Sequence, residues 1–283
     1  MSTDKNRGAG SEVNGEERRE MSGSQASRET KANGTDEKNR HLGFEVAYDL
    51  KSTGQQLRRA SFLAPFVRGG LRPLGRIAVR GAENIPQDGP LIVASYHQSN
   101  LDPLVVGISI YNQGRLPRFM AKHTLFTFPV GLVTRPLGQI PVVRGSREAG
   151  DSLAYAKAAL AAGQTVTIYP EGTHTKDPDM WPGPAKSGTA RLALQTGTPI
   201  ITVAHWGVQN ALPGKSLRPR LGPRRVMTVD FSEPIVTEGV PETKENVASL
   251  TEHITARIAS QLADLRGVPL PDRFRNALEW RKA

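Results

Sequence analysis

From residue 76 onward, short β-branched or apolar runs alternate with longer stretches of helical periodicity, and this alternation limits the fold more than any other feature. Strand-like runs fall at 76–79, 91–96, 118–122, 139–144, 165–169, 199–206 and 224–231. Helical signals lie between them. Asp102-Pro103 suits a helix start, with Asp as N-cap and Pro in the first turn. Ser146 is the expected N-cap of a helix running to residue 162 with Gly163 beyond it, and 186–196 reads as a helix closed by Gly197. Val247, Leu250, Ile254, Ile258 and Leu262 recur at helical spacing over one long amphipathic helix. Strands and helices in alternation predict an α/β fold: a mainly parallel central sheet flanked by helices.

The 283 residues suffice for a substantial core, and none is cysteine, which closes thiolate nucleophiles, Cys-ligated zinc and disulfides. No His/Asp/Glu spacing typical of a metal site is present either. The net charge of +10 is unevenly spread. Residues 1–40 carry eight basic and eight acidic side chains and almost no large apolar ones, so this tail is expected to be disordered. The whole excess of positive charge lies beyond it, which implies an anionic partner: membrane, nucleic acid or phosphorylated substrate.

Residues 41–75 read as a basic amphipathic segment. Between 51 and 80 there are seven basic residues and no acidic one, interleaved with Leu57, Phe62, Leu63, Phe66, Val67 and Leu71. Such a stretch fits the headgroup region of an anionic membrane, and it equally fits a helix packed on the core with a charged outer face. Pro65, Gly69 and Gly70 predict two short pieces over one long helix. No secretory signal is visible and no run approaches the roughly 20 apolar residues needed to cross a bilayer, so a membrane would be met from one side.

The chemistry-bearing residues begin at His97-Gln98-Ser99-Asn100-Leu101-Asp102, directly after an apolar run. A neutral imidazole oriented by a carboxylate takes a proton from a hydroxyl near neutral pH. The pair alone fits two roles, this one and the helix cap. Three further segments follow: Gly138-Gln139-Ile140-Pro141-Val142-Val143-Arg144, then Tyr169-Pro170-Glu171-Gly172-Thr173-His174-Thr175, then Gly197-Thr198-Pro199-Ile200-Ile201-Thr202-Val203-Ala204. In that order and at those separations, they resemble the four sequence blocks of the glycerolipid acyltransferase family, over about residues 76 to 210.

The resemblance implies an acyltransferase domain over 76–283. It would move a fatty acyl group from acyl-CoA or acyl carrier protein to the sn-2 hydroxyl of 1-acyl-sn-glycerol 3-phosphate, giving phosphatidic acid. His97 would be the general base and Asp102 its orienting partner. Arg144, Glu171, Gly172, Thr173 and His174 would line the acceptor site, with no cofactor beyond the acyl donor. Arginine suits bidentate phosphate contact, whereas Glu171 suits a glycerol hydroxyl or a cationic side chain. Standing alone, Arg144 is also an ordinary strand-end residue and Pro170-Glu171-Gly172 an ordinary turn.

His174 and Thr175 stand where the family usually has arginine and serine. That departure keeps other acceptors open: another lysophospholipid, a glycolipid or an amino-acid lipid. The expected setting is peripheral, on anionic lipids at the cytoplasmic face of the cell membrane. A non-catalytic membrane- or nucleic-acid-binding protein is the reading of a different class. For nucleic acid, no helix-turn-helix, zinc or aromatic ribonucleoprotein signature is present. Lys122 fits either the surface or the site, and His205-Trp206 fits core packing or a site wall, with packing the favoured reading. The cluster Lys215, Arg218, Arg220, Arg224 and Arg225 reads either as a solvated loop or as a contact for headgroups or an acidic carrier.

Overall fold

The computed structural model describes residues 50–142, 148–222 and 224–280, leaving out the side chains of 50–52 and 148–151. Arg144, Ser146, the expected tail and residues 41–49 lie outside the described residues.

Seven strands form one sheet: β1 (Arg76–Arg80), β2 (Leu91–Ser95), β3 (Pro117–Lys122), β4 (Ile140–Val142), β5 (Thr165–Ile168), β6 (Ile200–Trp206) and β7 (Val226–Phe231). Their order across the sheet is β1-β7-β6-β2-β5-β3-β4. Every neighbouring pair is parallel except β6 with β7, where Ala204 faces Asp230. The sheet is therefore mainly parallel, as the alternation predicted.

The central strand explains itself from sequence. All five residues of β2 are buried, which a strand covered on both faces requires and which its unbroken apolar run provides. Successive side chains leave on opposite faces. Ile92 and Ala94 join one apolar layer with Leu250, Ile254 and Leu262, whereas Leu91 and Val93 join the other with Val105 and Ile110.

Five longer helices among the described residues flank the sheet: α1 (Leu50–Leu71), α2 (Asp102–Asn112), α3 (Glu148–Ala161), α4 (Gly188–Thr196) and α5 (Lys244–Arg266). Gly163 and Gly197 are left-handed, with φ of 70° and 62°, so both expected stops use the conformation in which glycine costs least.

Helix α1 departs from the expected two pieces: it is continuous through Pro65 and the glycines. A proline inside a helix costs about 3 kcal/mol. Here one helical face is buried regardless, through Ala60, Ala64 and Leu71, with Val67 packed beside the second apolar layer. Ser61 Oγ lies 2.7 Å from Tyr111 Oη of α2, and Arg59 donates to the Pro136 carbonyl at 3.1 Å. Tertiary packing thus overrides local propensity, and α1 is integral to the same body as the sheet.

Candidate active site

β6 runs parallel to β2, and so do β5, β3 and β4, so all five strands deliver their carboxyl ends to one edge of the sheet. In open α/β sheets ligands bind at that edge. His97 follows β2, the Tyr169–His174 segment follows β5, Lys122 ends β3 and His205 lies near the end of β6. Chain connectivity alone brings residues more than a hundred positions apart to one place.

The imidazole of His97 meets Asp102 at 2.9 Å from Nδ1 to Oδ2. Asp102 is not the helix cap: Leu101 holds that position, and the Asp102 carboxylate turns back instead. Its Oδ2 also accepts the backbone N–H groups of Gln98 and Ser99, both at 2.7 Å. Asp102 is fully buried, so the charge needs such donors. With Nδ1–H given to the carboxylate, His97 keeps Nε2 as its basic nitrogen.

Aromatic faces hold the ring in place. His97 stacks on Tyr169 with centroids 4.4 Å apart and on His174 at 3.9 Å. Burial lowers the pKa of His174, and the neighbouring His97 adds to that, so the outer ring of the stack is kept neutral. The Thr175 N–H donates to the His97 carbonyl at 2.6 Å, which ties the third segment to the first.

Behind the carboxylate sits a second histidine. His205 is fully buried, with Nδ1 3.7 Å from Asp102 Oδ1. Its Nε2 faces the Tyr96 carbonyl at 3.1 Å and therefore carries the hydrogen; Nδ1 is left to accept from Gln98 Nε2 at 3.2 Å. Tyr96 Oη donates to the His205 carbonyl at 2.8 Å, and the two rings stack. Burial keeps this imidazole neutral. Sequence assigned His205 to packing, and it does pack. What sequence missed is that Gln98 and His205 enclose Asp102, because His205 reaches the pair only through the β2–β6 register.

His97, Gly172, Thr173 and His174 line a cavity of about 890 Å³ that also reaches Lys122 and Lys186. That volume lies toward the upper end of the ~300–1,000 Å³ usual for ligand sites. Its far walls are apolar, from Ala60, Leu63 and Val67 of α1, Leu104 and Ile108 of α2, and Leu125.

Two of the anticipated roles meet particular geometry. The Gly172 N–H donates to the Tyr169 carbonyl at 2.8 Å, closing a turn instead of pointing at an anion. A Cβ at Gly172 would come within 3.2 Å of Lys186 Nζ, so this glycine lets the ammonium lie against the backbone. Glu171 does not line the cavity. It is buried, and its Oε2 accepts the Gly183 N–H at 2.9 Å.

Desolvation pushes the Glu171 carboxyl up to about 7, against smaller opposing contributions from Gly183, His97 and Thr175. The folded chain therefore holds a proton that the unfolded chain releases at lower pH. This stabilisation is complete below the unfolded value of 4.5 and is lost as pH rises through about 7. Glu171→Gln is expected to flatten that dependence, by about 2 kcal/mol between pH 4.5 and 8 once partial solvation is discounted. Thermal melts of both proteins across this range check it. Parallel pH curves would show that Glu171 does not titrate there.

Known proteins resemble this chain in sequence and in fold. A family model described as Acyltransferase matches residues 76–206. A 1-acyl-sn-glycerol-3-phosphate acyltransferase of Borreliella burgdorferi is 34% identical over 137 residues, covering 48% of this chain and 53% of that protein. A chloroplastic 1-acyl-sn-glycerol-3-phosphate acyltransferase of Brassica napus is 31% identical over 144 residues, covering 50% of this chain and 40% of that protein. The crystal structure of the 1-acyl-sn-glycerophosphate acyltransferase PlsC from Thermotoga maritima superposes with a TM-score of 0.58 at 25% identity, over 73% of this chain and 79% of that one. The chain spans about half the length of the curated relatives it matches. On sequence and fold together, residues 76–206 of this chain match an acyltransferase domain, on a fold similar to that of PlsC.

Proposed function

We propose that this protein transfers a fatty acyl group from acyl-CoA or acyl carrier protein to the sn-2 hydroxyl of 1-acyl-sn-glycerol 3-phosphate, producing phosphatidic acid. One observation carries the reading: an imidazole fixed by a buried carboxylate on Nδ1 lines a largely apolar cavity. In this reading His97 Nε2 takes the proton of the acceptor hydroxyl as its oxygen attacks the thioester carbonyl. The tetrahedral intermediate collapses with cleavage of the C–S bond, and the leaving thiolate takes the proton back from the imidazolium. No acyl-enzyme is needed, which suits a chain without cysteine.

The neighbouring groups have parts in the same scheme. The Asp102 charge offsets the positive charge that develops on His97. Stacking on Tyr169 puts an electron-rich face beside that cation. Lys122 and Lys186 supply positive charge for the acceptor phosphate, together with Arg144. Thr173 and Glu171 complete the acceptor side, Glu171 by holding the segment at Gly183 and the turn in place. Helix α1 lies along an anionic membrane at its cytoplasmic face, and the lysolipid acceptor comes from there. No helix among the described residues is long and apolar enough to cross a membrane.

A second acceptor is favoured by one feature. His174 is engaged in the stack on His97, and no arginine lines the cavity among the described residues. A lysolipid whose headgroup demands less than a bidentate cation, such as another lysophospholipid, a glycolipid or an amino-acid lipid, then competes for the same site. Purified protein incubated with labelled acyl-CoA and a mixed lysolipid panel, read by lipid mass spectrometry, separates them. The expected product is labelled phosphatidic acid. Label in other lipids with none in phosphatidic acid moves the assignment to the second reading.

A further inference from the structure

We infer that the segment His123–Thr134 is a second membrane-inserting element, which dips apolar tips into an anionic bilayer beside α1 and sets the cavity mouth on the lipid surface. The inference rests on the proposed membrane acyltransferase reading and extends it to a part of the fold with no assigned role.

The segment is built to hold apolar side chains outward. Phe128 is 83% exposed and Leu132 68% exposed, with Leu125, Val130 and Val133 exposed on the same short segment, and it is such grouping of apolar side chains that marks an interaction site. They are not loose ends. Phe126 is buried as an anchor, Gly131 N–H donates to the Thr127 carbonyl at 2.6 Å, and Thr134 Oγ1 donates to the Leu125 carbonyl at 3.0 Å. Arg135 Nε donates to the Phe126 carbonyl at 2.7 Å, closing the base of the loop. Burying the tips within the chain would mean breaking this set of hydrogen bonds.

The neighbouring face of α1 repeats the pattern. Phe62 and Phe66 are 70% and 67% exposed, with ring centroids 5.5 Å apart. Arg59 of α1 reaches the Pro136 carbonyl, so helix and loop are adjacent. Leu63 and Val67 of the helix, with Leu125 and Val133 of the loop, also line the cavity that reaches His97. The exposed aromatic tips therefore flank the apolar opening from two sides.

Charge selects the partner. Residues 51–80 contain no acidic side chain, and neither does the whole stretch 103–147. Arg58, Arg68 and Arg72 on the helix side and Lys122 and Arg135 on the loop side are all exposed at this end. Cations around apolar tips, with no carboxylate among them, match an anionic lipid surface: tips in the acyl region, cations at the headgroups. An acidic carrier protein would satisfy the cations but would leave four large apolar side chains without a hydrocarbon environment.

The absence of cysteine makes a direct test available. Leu132→Cys in the full chain carries an environment-sensitive NBD label, and Glu252→Cys on α5 carries the same label as a control. On adding vesicles of 70% phosphatidylcholine and 30% phosphatidylglycerol, the label at 132 is expected to shift to the blue and to be quenched by lipids with doxyl groups on the acyl chain. The control label is expected to do neither. Phe128→Ala combined with Leu132→Ala is expected to weaken vesicle sedimentation at least tenfold. Its turnover of a short-chain lysophosphatidic acid, presented as monomers in solution, should stay within twofold of the parent.

A label at 132 that vesicles leave unquenched overturns the inference. So does one that responds to acyl carrier protein and not to lipid, which would make the patch a carrier-docking face. Equal loss of soluble and vesicle turnover in the double variant would also overturn it, by placing the loop in the site. Quenching in a protein that acylates no lysolipid would uphold the membrane contact and defeat the acyltransferase reading instead.

Discussion

Replacing His97 with alanine is expected to lower acyl transfer at least about a hundredfold, with the protein still folded. In the proposed scheme the ring acts as the base, and as a structural support it is minor: its side chain is 16% exposed and lies at the cavity wall. Removing it deletes the only imidazole that both lines the cavity and has one nitrogen held by a carboxylate, among the described residues. His174 cannot take its place. Among the described residues it has no carboxylate partner within hydrogen-bonding distance, and burial disfavours its protonated form. Initial rates with saturating acyl donor, alongside a thermal melt, check the expectation. A folded His97→Ala protein with a near-normal rate would falsify the role given to this residue.

Asp102 is expected to separate charge from geometry. All three donors converge on Oδ2, while no hydrogen-bond donor among the described residues reaches Oδ1. An asparagine can therefore present its carbonyl oxygen to the same three donors, with its amide on the His205 side, where it shares the Nδ1 lone pair with Gln98 Nε2. Asp102→Asn should fold and should keep the His97 tautomer. It loses the negative charge that stabilises the imidazolium, which we expect to lower kcat by about ten- to a hundredfold with little change in KM. Asp102→Ala is different. It strands two buried backbone N–H groups and opens a void, at a cost of roughly 2–4 kcal/mol in stability. Denaturant melts and steady-state rates of both variants check this. If Asn and Ala destabilise the protein equally, the carboxylate acts as a structural knot and not chiefly through its charge.

Much of the fold could be read from local pattern. The strands appear within a residue or two of their apolar runs, because a strand buried on both faces must be largely apolar; β2 is the clearest case. Gly163 and Gly197 stop their helices where expected, since the left-handed turn is a local demand. Helix α1 was not readable in the same way. Pro65 and the two glycines argue for a break, and only the partners offered by α2 and the second apolar layer make the unbroken helix favourable.

The site divides along the same line. Residue types marked the His97–Asp102 pair as a candidate alongside a helix cap, and the family resemblance added the Glu171–His174 turn, because acid–base chemistry demands particular functional groups that survive as a written pattern. Which direction Asp102 faces, the stacking of His97 between Tyr169 and His174, and the enclosure of the carboxylate by Gln98 and His205 are properties of strand register and of distance through space. A linear sequence carries the identity of each group locally, but contact between groups a hundred residues apart is created only when the strands of one sheet are ordered and aligned.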